Sequence, residues 1–314
     1  MAVVSWNTRE LLGRCLDSLA PEVERGRVEA WVVDNASTDA SAELVRERYG
    51  WAQLIASDKN VGFGSAVNLV AERTSSPWLA IANADVRLQP GALDRLLESA
   101  ERDPGAGALA PRLVLPDGST QHSVFAFPTL PFIFILQSGL FHVSRDLSDR
   151  MALLGLWDTE RARRVPWAVG AFLLIRRQAW DQVGGFDRRQ WMYAEDLDLG
   201  WKLRRAGWAT RYEPRAVVEH EEGASAKQAW GPAEQINARW QLSTYGWLAR
   251  RRGLARTWAV ALMNFLGCGA RYLALVPASW VDPGRWADQR RGLGEWTLVH
   301  LKGLASARRV EDYR

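Results

Sequence analysis

Glu195, Asp196 and Asp198 fall within four consecutive positions of MYAEDLDLGWKLRRAGW, residues 192–208. A carboxylate set beside a hydroxyl can take its proton, which is general-base chemistry. The same three acids also suit the first turn of a helix, where partial positive charge stabilises each by about 0.3–1 kcal/mol. Leu197 and Trp201 are spaced by four, as are Leu199 and Leu203, and basic residues precede Gly207. That pattern predicts a helix with its acids at the start. Helix-start electrostatics and proton transfer both remain open from this stretch alone.

Three other segments carry polar groups of the right kind. In IANADV, Asp85 lies two residues after Asn83, so in a strand both would face one crevice. A carboxylate there can hold Mg²⁺ or Mn²⁺, which in turn grips a diphosphate. The same pair also suits a turn before the next helix. Asp34 in WVVDNASTD can accept a hydrogen bond from a ribose hydroxyl or a base N–H, or can simply shape the turn. In DKNVGFGSAVN, Gly62 and Gly64 allow close backbone approach, while Asn60 and Asn68 offer amides. This loop lacks the Gly-Lys-Ser/Thr ending of a phosphate loop. His220, followed by Glu221 and Glu222, has no neighbouring His or Cys to make a zinc site.

The elements that must position these residues alternate. AVVSW, EAWVVDN, AQLIAS and PWLAIANADV read as strands. TRELLGRCLDSL, STDASAELVRERYG, GSAVNLVAERT and PGALDRLLESAERD read as helices, the second with Ser37 or Thr38 as N-cap. Alternating β and α with short joints implies an α/β fold, a mostly parallel twisted sheet flanked by helices. Ligands bind such sheets beyond the carboxyl ends of the strands, where Asp34, Asn60 and Asp85 fall. Residues 105–225 are less regular: strands around a Pro-Asp-Gly turn, the Pro-flanked apolar FPTLPFIFILQSGLF, a strand in VPWAVGAFLLIRRQAW, and a short strand ending at His220. The reading divides the chain into 1–104, 105–225 and a helical extension, 226–314.

The 314 residues are 47% hydrophobic and 24% charged, an ordinary globular composition. Cys15 and Cys268 lie far apart and suggest a reducing compartment without a disulfide framework. MAVVSWNTRE reads as the first strand rather than a leader, and a strand this close to Met1 is consistent with a start a few residues upstream. Residues 226–314 carry 14 Lys and Arg against 6 Asp and Glu, a net of +8, which leaves −4 for residues 1–225. A near-balanced body with a basic tail is not the footprint of a nucleic-acid module. Seven of the 17 tryptophans lie in that tail, and a basic, Trp-rich segment fits an anionic membrane surface. TWAVALMNFLGCGARYLALVPASW is its most apolar run, but Asn264, Arg271 and Pro277 interrupt it. An amphipathic helix lying on a membrane or packing on the body fits it better than a spanning helix.

The order VVSWN, VVDNASTD, NVGFGSAVN, NADV, VGAFLLIRR, GGFD, MYAEDLDLGWKLRRAGW and PRAVVEHEEGAS resembles the family 2 inverting glycosyltransferases with the GT-A fold. Within them it resembles the bacterial rhamnosyltransferase-like branch. The resemblance implies that Trp6 packs on the nucleotide base with Ser5 and Asn7 beside it, and that Asp34 binds base or ribose. It implies that Asn60, Gly62 and Asn68 shape the nucleotide pocket. Asn83-Ala84-Asp85 stands at the metal motif, with Asn in place of its first Asp, Asp85 bridging Mg²⁺ or Mn²⁺, and His220 as a further ligand. Asp196 would be the catalytic base and Glu195 its neighbour. The implied partners are a nucleotide-diphosphate sugar such as dTDP-rhamnose or a UDP-sugar, and a glycan or polyprenyl-diphosphate-linked saccharide acceptor. The implied location is the cytoplasmic face of the plasma membrane. A nucleotidyltransferase would carry a Gly-rich basic loop that SWNTRELL lacks, and a binding scaffold would not need Asp85, Asp196 and His220 together.

Overall fold

The computed structural model describes residues 1–140, 144–151, 156–221 and 233–306. It falls into two compact units, one from residues 1–126 and 152–230, the other from 127–151 and 231–314. The apolar FPTLPFIFILQSGLF segment therefore belongs with the C-terminal helices rather than with the 105–225 region. Glu222 and the rest of the GAS end of its motif, and Trp230, lie outside the described residues.

The first unit is built on a mixed sheet. Strands β1 (Ala2–Ser5), β2 (Trp31–Asp34), β3 (Gln53–Ala56) and β4 (Trp78–Asn83) run parallel in the order β3-β2-β1-β4. Beyond β4 the order continues with β10 (Phe172–Arg176), β6 (Ala106–Val114), β11 (Ala209–His220) and β5 (Val86–Leu88). β10 is antiparallel to both neighbours, and β11 is parallel to β6 but antiparallel to β5. β8 (Arg163–Val165) pairs with β11, and β7 (Val124–Phe125) with β9 (Trp167–Ala168) forms a separate ribbon.

Strand alternation divides the core between two faces. Val3, Val32, Ala80, Ala82 and Leu174 pack under α1 (Arg9–Glu24), α2 (Ser41–Arg48) and α4 (Ala92–Arg102) with Leu12, Leu16, Val45 and Leu96. Ala2, Val33, Leu79, Ile81 and Leu173 pack under α3 (Phe63–Ala71), α7 (Arg177–Val183) and α8 (Glu195–Arg205) with Val67, Val70, Trp180 and Leu203. The expected α/β architecture follows directly from this period-two sorting.

Local boundaries differ in instructive ways. β4 stops at Asn83, and Ala84-Asp85 form a turn into β5, so strand alternation does not govern Asp85. Neither Ser37 nor Thr38 caps α2. Asp39 accepts the Ser41 N–H at 3.1 Å instead, because residues 37–39 are committed to the loop that meets Asn7. The strand ending at His220 is twelve residues long, carried past an irregularity between Glu213 and Val217 by its pairing with β5.

The second unit holds α5 (Leu130–Ser138), α6 (Arg145–Arg150), α9 (Ala233–Arg252), α10 (Leu254–Val281) and α11 (Pro283–Ser306). By length and mean hydropathy, 1.5 over its most apolar window, α10 is long and apolar enough to cross a membrane.

In the first unit, Asn68 on α3 accepts the Phe186 N–H and donates to the Phe186 carbonyl, both at 3.0 Å and both buried. Removing that amide leaves two buried backbone groups without partners, each costing about 1–3 kcal/mol. Asn68→Ala should therefore lower unfolding free energy by about 2–4 kcal/mol in urea titration; a loss within error would mean that solvent replaces both bonds.

Candidate active site

The carboxyl ends of β1 and β2 are cross-linked through their loops. Ser5 lies opposite Asp34 in register, and its buried hydroxyl is engaged with Thr8 Oγ1 at 3.0 Å. Asn7, at φ 53°, donates its N–H to Ser37 Oγ and accepts the Thr38 N–H at 2.7 Å. Trp6 is half-buried between these bonded residues. Asp34 Oδ2 accepts the Ser37 N–H at 3.2 Å, while Oδ1 is buried without a hydrogen-bond partner. An unpaired buried acceptor of this kind costs about 1–3 kcal/mol unless something donates to it.

The glycine loop is fixed from two sides. Asn60 Oδ1 accepts from Asn35 Nδ2 and from the Gly62 N–H, both at 2.9 Å, and Asn35 Oδ1 accepts the Val61 N–H. Gly62 has φ +81°, and a Cβ there would lie 2.0 Å from the Trp191 carbonyl oxygen. Only glycine fits that approach. Trp191 Nε1 in turn donates to the Asn60 carbonyl at 3.3 Å, so the glycine loop and the segment leading into α8 are locked together. Asn68 spends its amide on Phe186 and contributes to this pocket as support.

Asp85 and His220 come together through strand pairing. His220 lies opposite Val86 across β11 and β5, and the Glu221 N–H bonds the Asp85 carbonyl. His220 Nε2 sits 3.3 Å from Asp85 Oδ1, and both atoms are buried with no hydrogen-bond partner. His220 Nδ1 is 2.8 Å from Gln121 Oε1. With that oxygen accepting, Nδ1 carries a hydrogen, and a neutral ring would present its Nε2 lone pair on the Asp85 side. Two facing acceptors suit a cation. Among the described residues no three His, Cys, Asp or Glu side chains form a cluster, so a divalent ion here would take its remaining oxygens from a substrate diphosphate and water, as Mg²⁺ and Mn²⁺ sites commonly do.

The acids of α8 are delivered by an unusual turn. Tyr193 and Ala194 hold φ of 60° and 63° in succession, a region that residues bearing a Cβ visit rarely and at a cost. Asp196 Oδ2 then accepts the Gly170 N–H at 3.1 Å and Oδ1 accepts the Leu197 N–H at 2.8 Å. Ala171, next to Gly170, accepts the Asn83 N–H at 2.9 Å, which ties Asp196 to the end of β4 that carries Asp85. Burial pushes the Asp196 carboxyl up, opposed by its backbone N–H donors. Burial, reinforced by the charge of Asp196, pushes Glu195 well above the usual carboxylate range. Glu195 Oε2 has no hydrogen-bond partner. Asp198 is buried 3.8 Å from Lys202, whose ammonium donates to the Gly185 carbonyl, an assignment that makes it structural.

Sequence reasoning missed Asn35, Gln121, Gly170 and Trp191 as individual contributors. Asn35 and Gly170 lay inside quoted motifs. Gln121 had no local signal, since its partner is 99 residues away.

Residues 1–243 match the family described as "Glycosyltransferase like family 2". The chain is 36% identical over 240 residues to an N-acetylglucosaminyl-diphospho-decaprenol L-rhamnosyltransferase of Mycobacterium tuberculosis, covering 72% of this chain and 76% of that protein. It is 26% identical over 221 residues to the O-antigen biosynthesis protein RfbC of Myxococcus xanthus, covering 69% of this chain and 17% of that protein. The fold is similar to that of a Pyrobaculum calidifontis mannosyltransferase in complex with GDP-mannose and Mn²⁺, with TM-score 0.60, 17% identity and coverage of 98% and 84%. GalNAc-T7 with UDP, GalNAc and Mn²⁺ gives TM-score 0.52 at 14% identity, over 80% and 50% of the two chains. These neighbours identify the architecture as GT-A. The chain belongs to glycosyltransferase family 2 and is a glycosyltransferase.

Proposed function

We propose that this glycosyltransferase moves a sugar from a nucleotide diphosphate to a saccharide hydroxyl by a single inverting displacement, with Asp196 as general base. The observation that carries the reading is the link from Asp196 through Gly170 and Ala171 to the β4 end beside the facing Asp85 and His220. The base and the diphosphate-gripping pair thereby share one sheet edge. As the acceptor oxygen bonds to the anomeric carbon, its proton passes to the Asp196 carboxylate, and the bond from that carbon to the diphosphate oxygen breaks. One displacement inverts the configuration. Asp85 and His220 would hold a divalent cation, which when bound would supply charge neutralisation for a departing diphosphate.

The unpaired Asp34 Oδ1 suits an imide N–H of thymine or uracil, with Trp6 as the stacking surface and Ser5 and Asn7 shaping its loop. That supports dTDP-rhamnose or a UDP-sugar as donor. Likeness to the mycobacterial rhamnosyltransferase supports a polyprenyl-diphosphate-linked GlcNAc-type acceptor in cell-envelope polysaccharide synthesis. Such an acceptor keeps the reaction at the cytoplasmic face of the membrane. Burial pushes both carboxyls up, Glu195 further because of the charge of Asp196, while backbone N–H donors oppose the rise at Asp196; that difference favours Asp196 as the base and Glu195 as its proton-holding neighbour.

Asp196→Asn should fold and lose about 10²–10⁴-fold in transfer, measured with a panel of dTDP- and UDP-sugars on a short-chain acceptor. Full activity in that variant would sink the assignment. Because the base must be ionised, wild-type activity is lost as pH falls through the raised Asp196 pKa. Glu195→Gln, which resembles the neutral acid, should keep that acid limb where wild type has it; a displaced limb would make Glu195 the titrating base.

The same shift has a stability consequence. A carboxyl pushed well above the usual carboxylate range in the folded state, as Glu195 is, favours that state at pH below the usual range. It withdraws the advantage as pH rises through the folded pKa. Melting temperatures should show wild type losing stability relative to Glu195→Gln as pH rises above the usual carboxylate range, and parallel curves would contradict the buried neutral acid. At the other end of the site, Gln121→Leu should weaken Mn²⁺ affinity about 10–100-fold by releasing the His220 ring; calorimetry giving an unchanged value would remove Gln121 from the site.

A further inference from the structure

The second unit contains a helix that is inside out. α10 buries Thr257, Asn264, Cys268 and Ser279, together with the small apolar Val260 and Ala261. Its large apolar residues face the other way: Leu254, Trp258, Leu262, Leu266, Leu273 and Trp280 are all exposed, Leu273 at 67% and Trp280 at 77%. At 100° per residue these six fall within an arc of about 120° along a helix about 42 Å long. A helix of a water-soluble bundle turns its apolar stripe inward, so this one is oriented for an apolar medium on its outer side. Helices that pack in lipid join through small and polar residues.

The buried side is fully made rather than frayed. Gln137 on α5 donates to Asn264 Oδ1 at 2.7 Å, Asn264 donates to the Tyr245 hydroxyl on α9 at 3.1 Å, and that hydroxyl lies 2.7 Å from His300 Nδ1 on α11. Arg271 closes the chain by donating to Gln137 Oε1 at 2.6 Å. Four helices are thus joined at one polar network, which fixes the rotation of α10 and holds its apolar stripe outward.

Charge identifies what covers the stripe. Arg252 and Arg256 are exposed near its start. Exposed Arg285, Asp288, Arg291 and Glu295 run along α11, which packs against α10 with Gly294 beside Tyr272. Those charges would be costly in the hydrocarbon centre, so α10 lies along the surface instead of crossing. We propose that the outer face of α10 seats in the headgroup–acyl boundary of an anionic membrane, the arginines near its start engaging lipid phosphates. This deepens the membrane part of the functional reading and is independent of the catalytic roles given to Asp85, Asp196 and His220.

The test is flotation of the full-length protein with vesicles of phosphatidylglycerol and phosphatidylcholine, against phosphatidylcholine alone. Wild type should float with the anionic vesicles, and recovery should fall about tenfold or more on neutral vesicles or in high salt. Leu266→Glu combined with Leu273→Glu should lose flotation by a similar factor while retaining transfer to a short-chain acceptor, whereas Asp196→Asn should float like wild type and lose transfer. Should the double variant fail to fold, Leu273→Cys carrying an environment-sensitive fluorophore reports the same contact by a blue shift on anionic vesicles. Four outcomes would overturn the proposal: wild type that does not float, flotation unchanged in the double variant, or resistance to alkaline carbonate extraction, which means a spanning helix. The fourth is a vesicle-free dimer that the double variant dissociates, which means a second copy covers the face.

Discussion

The bond from the Gly170 N–H to Asp196 Oδ2 is the constraint on which the site depends. A carboxylate removed from water requires donors already in position, because reorganising dipoles after the charge forms would cost what they return. Gly170 lies just before β10, the antiparallel strand beside β4, and its neighbour Ala171 receives the Asn83 N–H. One short peptide segment therefore fixes the start of α8 against the strand that leads to Asp85. The sheet supplies the rigidity, and the backbone of β10 transmits it to a side chain on a helix.

Several features around that bond cost stability on their own. Tyr193 and Ala194 occupy left-handed backbone in succession, and Trp191 closes on a glycine where any Cβ would clash. Asp34 Oδ1, Asp85 Oδ1, His220 Nε2 and Glu195 Oε2 are buried without hydrogen-bond partners. Each such atom lowers stability by about 1–3 kcal/mol, so the site runs a deficit that the core clusters on the two sheet faces must offset. A ligand that donates to these atoms would repay part of it and stiffen the loops that carry them.

The sheet and its helices were legible in the sequence because each depends on local pattern. Val3, Val32 and Leu174 alternate with Ala2, Val33 and Leu173, and that period survives any tertiary arrangement. The positions of Asp34, Asp85, Asp196 and His220 in the chain were likewise readable from motif order. Their partners were not. Gln121 reaches His220 across 99 residues and Gly170 reaches Asp196 across 26, so no window of sequence contains either pair. The turn at Ala84-Asp85 was one of two readings the sequence left open, but strand β5 after it was not legible, because its apolar valine reads as continuation of β4. The α2 cap escaped because three adjacent residues, Ser37, Thr38 and Asp39, were all suitable, and only the loop from β1 decides which are free to cap.

The C-terminal helices invert this relation between pattern and structure. Asn264 and Arg271 read in the sequence as interruptions of an apolar run, and therefore as arguments against a spanning helix and for one lying on a membrane or packed on the body. In the second unit they are what does the packing, joined to Gln137 and through it to the Tyr245–His300 pair, while the leucines around them face outward. Hydropathy averaged along the chain cannot distinguish these two orientations, because the same residues contribute the same sum whichever way the helix is rotated. What distinguishes them is the location of polar partners on other elements, since a buried amide fixes rotation far more stringently than a buried leucine does. Polar residues in an apolar helix thus carry the orientation information, and here they direct the apolar surface away from the protein.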